Sequence, residues 1–210
     1  MSPDFFLKGL LTGFLLAAPI GPIGILCIRG VLLYGRRHGF IIGVSGACGD
    51  IIYSTAAAFG VKLIFDFVVS HQPAMRLAGG LMLVGAGVFT YLSRSGSSLN
   101  EPRIIGEKGI FASTFLLALT NPLTLFGYAA AVSALGVNNI LSEFLSVALL
   151  VGGVFCGSLL WFSFLVWFAQ RFRQKVTARG IGIINKIVGL VLILFGTISL
   201  IMGLRAIEKL

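Results

Sequence analysis

The chain has 210 residues, of which 57% are hydrophobic and only 11% charged, and its mean hydropathy is +1.02. That balance is too apolar for a soluble domain and gives a polytopic membrane protein, with the lipid bilayer as its first partner. The net charge of +9 does not indicate a nucleic acid partner, because the sixteen Lys and Arg residues are spread over the flanks of apolar runs and form no basic face interleaved with aromatics.

Open strands leave backbone groups unsatisfied in lipid, and the apolar runs lack the alternation of a barrel, so the spans are helices of about 20 residues each. In chain order they are predicted at Phe5–Ile28, Phe40–Val61, Ala74–Leu92, Ile110–Leu135, Phe144–Phe168 and Ile181–Gly203. The first is read as a mature helix and not a signal peptide, since Asp4 precedes it and Lys8 interrupts it. The third carries Arg76 near its start. Residues 1–210 therefore form one transmembrane domain of six helices, an all-α membrane protein with almost no room for a soluble part. Cys27, Cys48 and Cys156 lie in or beside apolar runs without CxxC spacing, so they read as packing thiols; no metal site and no cofactor is expected.

With six spans, the connections after the first, third and fifth share one side of the membrane. They carry eleven basic residues, among them Arg36, Arg37, Arg94, Arg103, Arg171 and Arg173, against five on the other side. Counting Arg29 and Lys186 as intramembrane leaves nine against five. The positive-inside rule then predicts both termini on the outer side of the inner membrane.

The chain also resembles itself. Thr12–Pro22 (TGFLLAAPIGP) resembles Ser113–Pro122 (STFLLALTNP) with one residue gapped, Cys48–Ser54 (CGDIIYS) resembles Cys156–Phe162 (CGSLLWF), and Gly80–Gly87 (GLMLVGAG) resembles Gly189–Gly196 (GLVLILFG). The three matches keep their order at nearly constant offset. This predicts repeat one at about 1–96 and repeat two at about 105–210. Three spans per unit is odd, so the second copy enters upside down, giving an inverted 3+3 repeat of the kind used for alternating access.

Proline lacks an N–H and clashes with the carbonyl one turn back, so Pro19 and Pro22 interrupt the first span, where Gly21 adds a permissive backbone. Thr120, Asn121 and Pro122 interrupt the fourth at the corresponding position, and the Asn side chain can supply partners that the proline removes. Discontinuous helices in spans one and four predict a polar site near the midplane, with a simple kink as the plain alternative.

Of seven acidic residues, Asp50 alone sits deep in an apolar run. Burying its charge unpaired costs at least about 2.5 kcal/mol, so it must be compensated or protonated. It can accept a substrate ammonium or carry a proton; the bland alternative is a hydrogen bond to a Ser or Thr on a neighbouring helix. Tyr53, one turn on, extends the polar lining. Glycines at three- and four-residue spacing, Gly39, Gly43, Gly46 and Gly49 on the second span and Gly153 and Gly157 on the fifth, read as helix-packing faces.

"PIGPIG" in the first span, "GVSGACGD" in the second and "TNP" in the fourth resemble the LysE/RhtB family of amino acid exporters, across essentially the whole chain. The resemblance implies an inner-membrane secondary exporter of amino acids or related small zwitterions, not an enzyme, with a proton as coupling partner. It places the family's P-x-G-P on Pro19, Gly21 and Pro22, its acidic position on Asp50, and its Asn-Pro on Asn121 and Pro122. Many members continue Asn-Pro with Lys, whereas Leu123 follows here, which removes a cation and leaves the substrate unnamed. A thiol-relay electron carrier and a heavy-metal exporter are the alternatives, though there is no cysteine in the fourth span and no His, Met or Cys cluster. A homodimer is compatible with this reading but not legible in it.

Overall fold

A computed structural model of the chain describes residues 4–19, 21–58, 71–92, 106–121, 124, 127–131, 144–174 and 177–207, and every regular element among them is helical. The first predicted span becomes α1 (Asp4–Ala17) and α2 (Pro22–Tyr34), followed by α3 (Arg36–Ala58) and α4 (Gln72–Leu92). Then come α5 (Glu107–Leu119), α6 (Phe144–Arg173) and α7 (Ala178–Ile207).

Four of these, α3, α4, α6 and α7, are long and apolar enough to cross a bilayer. α1 and α2 pass that test only together, as a pair bent by 78°. α5 has 13 residues, too few to cross alone. Half of the remainder of the predicted fourth span, Pro122 included, lies outside the described residues, and residues 127–131 within it are helical.

Helix ends extend past the apolar runs that predicted them. α3 begins at Arg36 where hydropathy suggested Phe40, and α6 ends at Arg173 where it suggested Phe168. Hydropathy reports where lipid is, whereas helical hydrogen bonding continues beyond it. Arg171 and Arg173 in the last turn of α6 also complement the negative end of that helix.

Between lipid-soluble helices the hydrophobic effect offers little, so close backbone approach decides the packing. α1 lies parallel to α6: a Cβ at Gly13 would stand 2.1 Å from Val154 O, and one at Gly157 would stand 2.0 Å from Leu10 O. α4 and α7 run antiparallel with the same intimacy. A Cβ at Gly87 would meet Gly189 O at 2.8 Å, and one at Gly196 would meet Gly80 O at 2.8 Å. α3 packs antiparallel to α6, with Phe162 filling the groove at Gly43 and Gly46, and parallel to α5, where Gly49 faces Ala118.

α2 folds back on α3 through one residue, Gly35, whose φ of +98° lies in the left-handed region that favours glycine. Its N–H returns to Val31 O at 3.0 Å, closing the end of α2. Cys27, Val31, Ile42, Phe162 and Val166 then form a core where α2, α3 and α6 meet. On the far side α7 leaves Leu190, Leu194, Ile198 and Ile201 exposed, an apolar face suited to lipid.

Candidate functional site

The middle of α3 carries Asp50, and the glycines on either side of it bring neighbouring backbones close. One turn earlier, a Cβ at Gly46 would lie 3.2 Å from Ile23 Cγ2, in the first turn of α2. Next to Asp50, a Cβ at Gly49 would lie 2.7 Å from Ala118 Cβ, at the end of α5. Asp50 therefore stands level with both interruptions, between the start of α2 and the end of α5.

Its carboxylate accepts a hydrogen bond from the Ser158 hydroxyl of α6 at 2.7 Å. Ser158 is fully buried, and its Oγ also faces Gly13 O of α1 at 3.3 Å. The hydroxyl has one hydrogen, and the nearer, charged acceptor holds it more strongly. The side-chain hydroxyl of Tyr128, itself fully buried, faces both Asp50 and Ser158 without completing a direct hydrogen bond to either. The centre is thus one carboxylate, two hydroxyls and a backbone carbonyl, gathered from four parts of the chain. Such a group can hold a proton or accept an ammonium.

Tyr53 is buried one turn beyond Asp50, and its hydroxyl donates to Leu119 O at the end of α5. That bond belongs to a full set. Where α5 stops, the Leu117 carbonyl loses its helical donor and takes the Thr120 hydroxyl at 3.0 Å. Ala118 O, whose helical partner would be the nitrogen of Pro122, takes the Asn121 N–H at 3.3 Å. At Ala118 the donor is thus the Asn121 backbone N–H. Gly79 of α4 packs against Thr120, where a Cβ would lie 2.7 Å from Oγ1.

The interruption after α1 is built differently. Ala18 N–H reaches back to Phe14 O at 3.0 Å, and Gly21 N–H makes a tight turn to Pro19 O at 2.7 Å. Gly21 then serves as N-cap without any side-chain hydrogen bond, and Pro22 takes the first helical position, where its missing N–H costs nothing. A Cβ at Gly21 would meet nothing nearer than Pro19 O at 3.9 Å, and Pro19 itself is exposed. Among the described residues, therefore, nothing fills the space beside the break.

Of the residues singled out in the sequence, Asp50, Tyr53 and Thr120 are linked through α3 and α5, with Asn121 at their edge. Pro19, Gly21 and Pro22 form the α1–α2 turn at the same level, and Pro122 is outside the described residues. The sequence reading did not select Ser158 or Tyr128. The signal for Ser158 was present, since it is the residue opposite Asp50 in the internal repeat; for Tyr128 it was a lone hydroxyl in an apolar run. All three cysteines are free, and Cys27 is buried with its thiol on Gly39 O at 3.3 Å. Among the described residues no group of His, Cys, Asp and Glu is placed to hold a metal.

The sequence matches the family described as LysE type translocator over residues 14–203. A protein of Bacillus subtilis (strain 168), YcgF, named as a candidate amino acid efflux protein, is 25% identical over 210 residues, covering 92% of this chain and 93% of that protein. An uncharacterised membrane protein of Tetradesmus obliquus, ycf78, is 27% identical over 181 residues, which is 79% of this chain but 7% of the other. No solved structure matches the chain. The family match begins in the last turn of α1 and ends near the end of α7, so it includes both interruptions together with Asp50, Tyr128 and Ser158. The chain belongs to the LysE type translocator family, and it is a multi-pass membrane transporter.

Proposed function

We propose that the protein is a secondary active exporter of amino acids or related small zwitterions across the bacterial inner membrane, coupled to the proton gradient, with Asp50 as its ionisable centre. The observation that carries this reading is the position of Asp50, an acid within an apolar helix and level with both helix interruptions. Its hydrogen bond from Ser158 at 2.7 Å is the plain structural alternative named from the sequence, and the Asp50→Asn variant separates the two. The name of the Bacillus subtilis relative supports the substrate class.

The working architecture is an inverted 3+3 repeat with both termini outside. Its support is the pattern of contacts: Gly80 meets Gly196 and Gly87 meets Gly189, a set that exchanging the two repeats maps onto itself. Likewise Gly49 and its equivalent Gly157 each pack on the interrupted span of the other repeat. In this scheme the two halves rock about that contact set. The positive N-terminal end of α2, at Gly21 and Pro22, suits a substrate carboxylate, while Asp50 suits the ammonium, with the satisfied end of α5 at Thr120 and Asn121 as a fixed wall beside it. Asp50 exchanges the ammonium for a proton as access alternates, with Ser158 and Tyr53 holding its surroundings in place.

The test is efflux from loaded cells. Asp50→Asn keeps the shape and removes the charge, and losing a charge-assisted bond of about 1.5–3 kcal/mol lowers export by about ten- to a hundredfold. Export that persists undiminished in that variant defeats the assignment. Replacing Cys27, Cys48 and Cys156 together by Ser leaves export intact under this reading, whereas a thiol relay would stop.

A further inference from the structure

Arg29, midway along α2, donates from Nε to Oδ1 of Asn185 on α7 at 3.1 Å. Asn185 is fully buried, and its Nδ2 has no hydrogen-bond partner. The Tyr34 hydroxyl also lies beside the guanidinium. Among the described acids, Glu107 pairs with Arg37, Asp50 is held by Ser158, and Asp4 begins α1; none pairs with Arg29. Among the described residues, therefore, a half-buried guanidinium and a buried amide donor meet between α2 and α7 with no acid paired to them.

Such a pair is unfavourable in a dry interior until an acceptor completes it. A carboxylate fits the requirement, because its two coplanar oxygens match the parallel N–H groups of a guanidinium and leave lone pairs for the amide. We propose that Arg29 and Asn185 form a carboxylate-binding station between α2 and α7, separate from the Asp50 centre.

The ligand class follows from the export reading, on which this inference rests: the carboxylate is that of the small zwitterion being exported. Arg29 is level with Gly39, whose added Cβ would touch Val31 and Cys27 O. Gly39 precedes Asp50 by eleven residues, about 16 Å along α3. One amino acid is too short to touch both sites, so they act in sequence. The station lies towards the α2–α3 turn, the side that the distribution of Lys and Arg assigns to the cytoplasm, and it receives the substrate first.

The experiment uses the purified full-length protein in detergent, with its thermal unfolding midpoint titrated by sodium acetate against sodium chloride and inorganic phosphate at matched ionic strength. Acetate raises the wild-type midpoint saturably and more than the other two anions. Arg29→Gln weakens the apparent affinity by about tenfold or more. Asn185→Leu weakens it several-fold, Arg29→Lys falls between, and Arg205→Gln, an exposed charge at the far end of α7, changes nothing. Should Arg29→Gln fail to yield folded protein, Asn185→Leu and Arg29→Lys decide. No saturable acetate response, an equal response to chloride or phosphate, or a response that survives in these variants overturns the proposal. A parallel efflux assay compares amino acids with their amides in loaded cells. If wild type exports neither, the export reading fails, while the acetate titration still decides whether the station exists.

Discussion

The two helix interruptions begin from the same covalent fact, a proline that cannot donate, and end in opposite states. After α5, the last carbonyls are each given a donor: the Thr120 hydroxyl on Leu117, the Asn121 N–H on Ala118 and the Tyr53 hydroxyl on Leu119. After α1, among the described residues, the hydrogen bonds of the turn are backbone ones and nothing packs against Gly21. The comparison separates two uses of a broken helix. One interruption is an anchor tied to α3 and α4, and the other has helix-end groups that no described residue covers.

Variants can break or sharpen that contrast. The largest effect belongs to Gly13→Leu, just before the open turn, because a side chain there meets the Val154 carbonyl at 2.1 Å and forces α1 off α6. A cost of about 3 kcal/mol, the upper part of the usual range for overpacking, is expected as a much lowered midpoint of thermal unfolding or a loss of monodisperse protein. A stable Gly13→Leu protein with unchanged midpoint would mean that the α1 contact is not tight.

Next comes Tyr53→Phe, which leaves Leu119 O without its donor and costs about 1–3 kcal/mol. If the second interruption is an anchor, stability falls first and the export of whatever protein remains folded falls less. Thr120→Val keeps the volume and removes a single hydroxyl bond, so it costs about 1 kcal/mol in the same assay. Equal midpoints for wild type and both variants would show the carbonyls to be satisfied by other means.

Gly21→Ala has the smallest effect on stability, within about 0.5 kcal/mol, since the added methyl group has room and the φ of −86° suits alanine. Its effect on export is expected to be severe, because the methyl group occupies the space that the open turn offers to a ligand. Unimpaired efflux with an unchanged midpoint would reduce the first interruption to a kink. This variant distinguishes binding from bending, which neither proline substitution can do without disturbing the backbone.

Much of this architecture could be read from residues alone. Runs of about 20 apolar residues require helices in lipid, and prolines within such runs require a break, because both conclusions follow from backbone hydrogen bonding and need no tertiary information. The glycine spacing on α3 and α6 similarly marked faces for close packing, and Asp50 stood out because a charge in lipid must be compensated. Helix ends were legible only to within about two turns, since Tyr34, Arg36, Arg37, Arg171 and Arg173 continue helices beyond the hydrocarbon that hydropathy reports.

Tertiary structure alone decided which groups answer one another. Ser158 lies 108 positions from Asp50, Asn185 lies 156 from Arg29, and Leu119 lies 66 from Tyr53, so no local pattern ties any of these pairs together. Glycine contacts fix the depth at which neighbouring helices meet, and that depth selects the partner of each buried polar atom. Sequence thus determined that the polar groups had to be satisfied, and packing determined by which residue, or for Asn185 Nδ2, by none in the described chain.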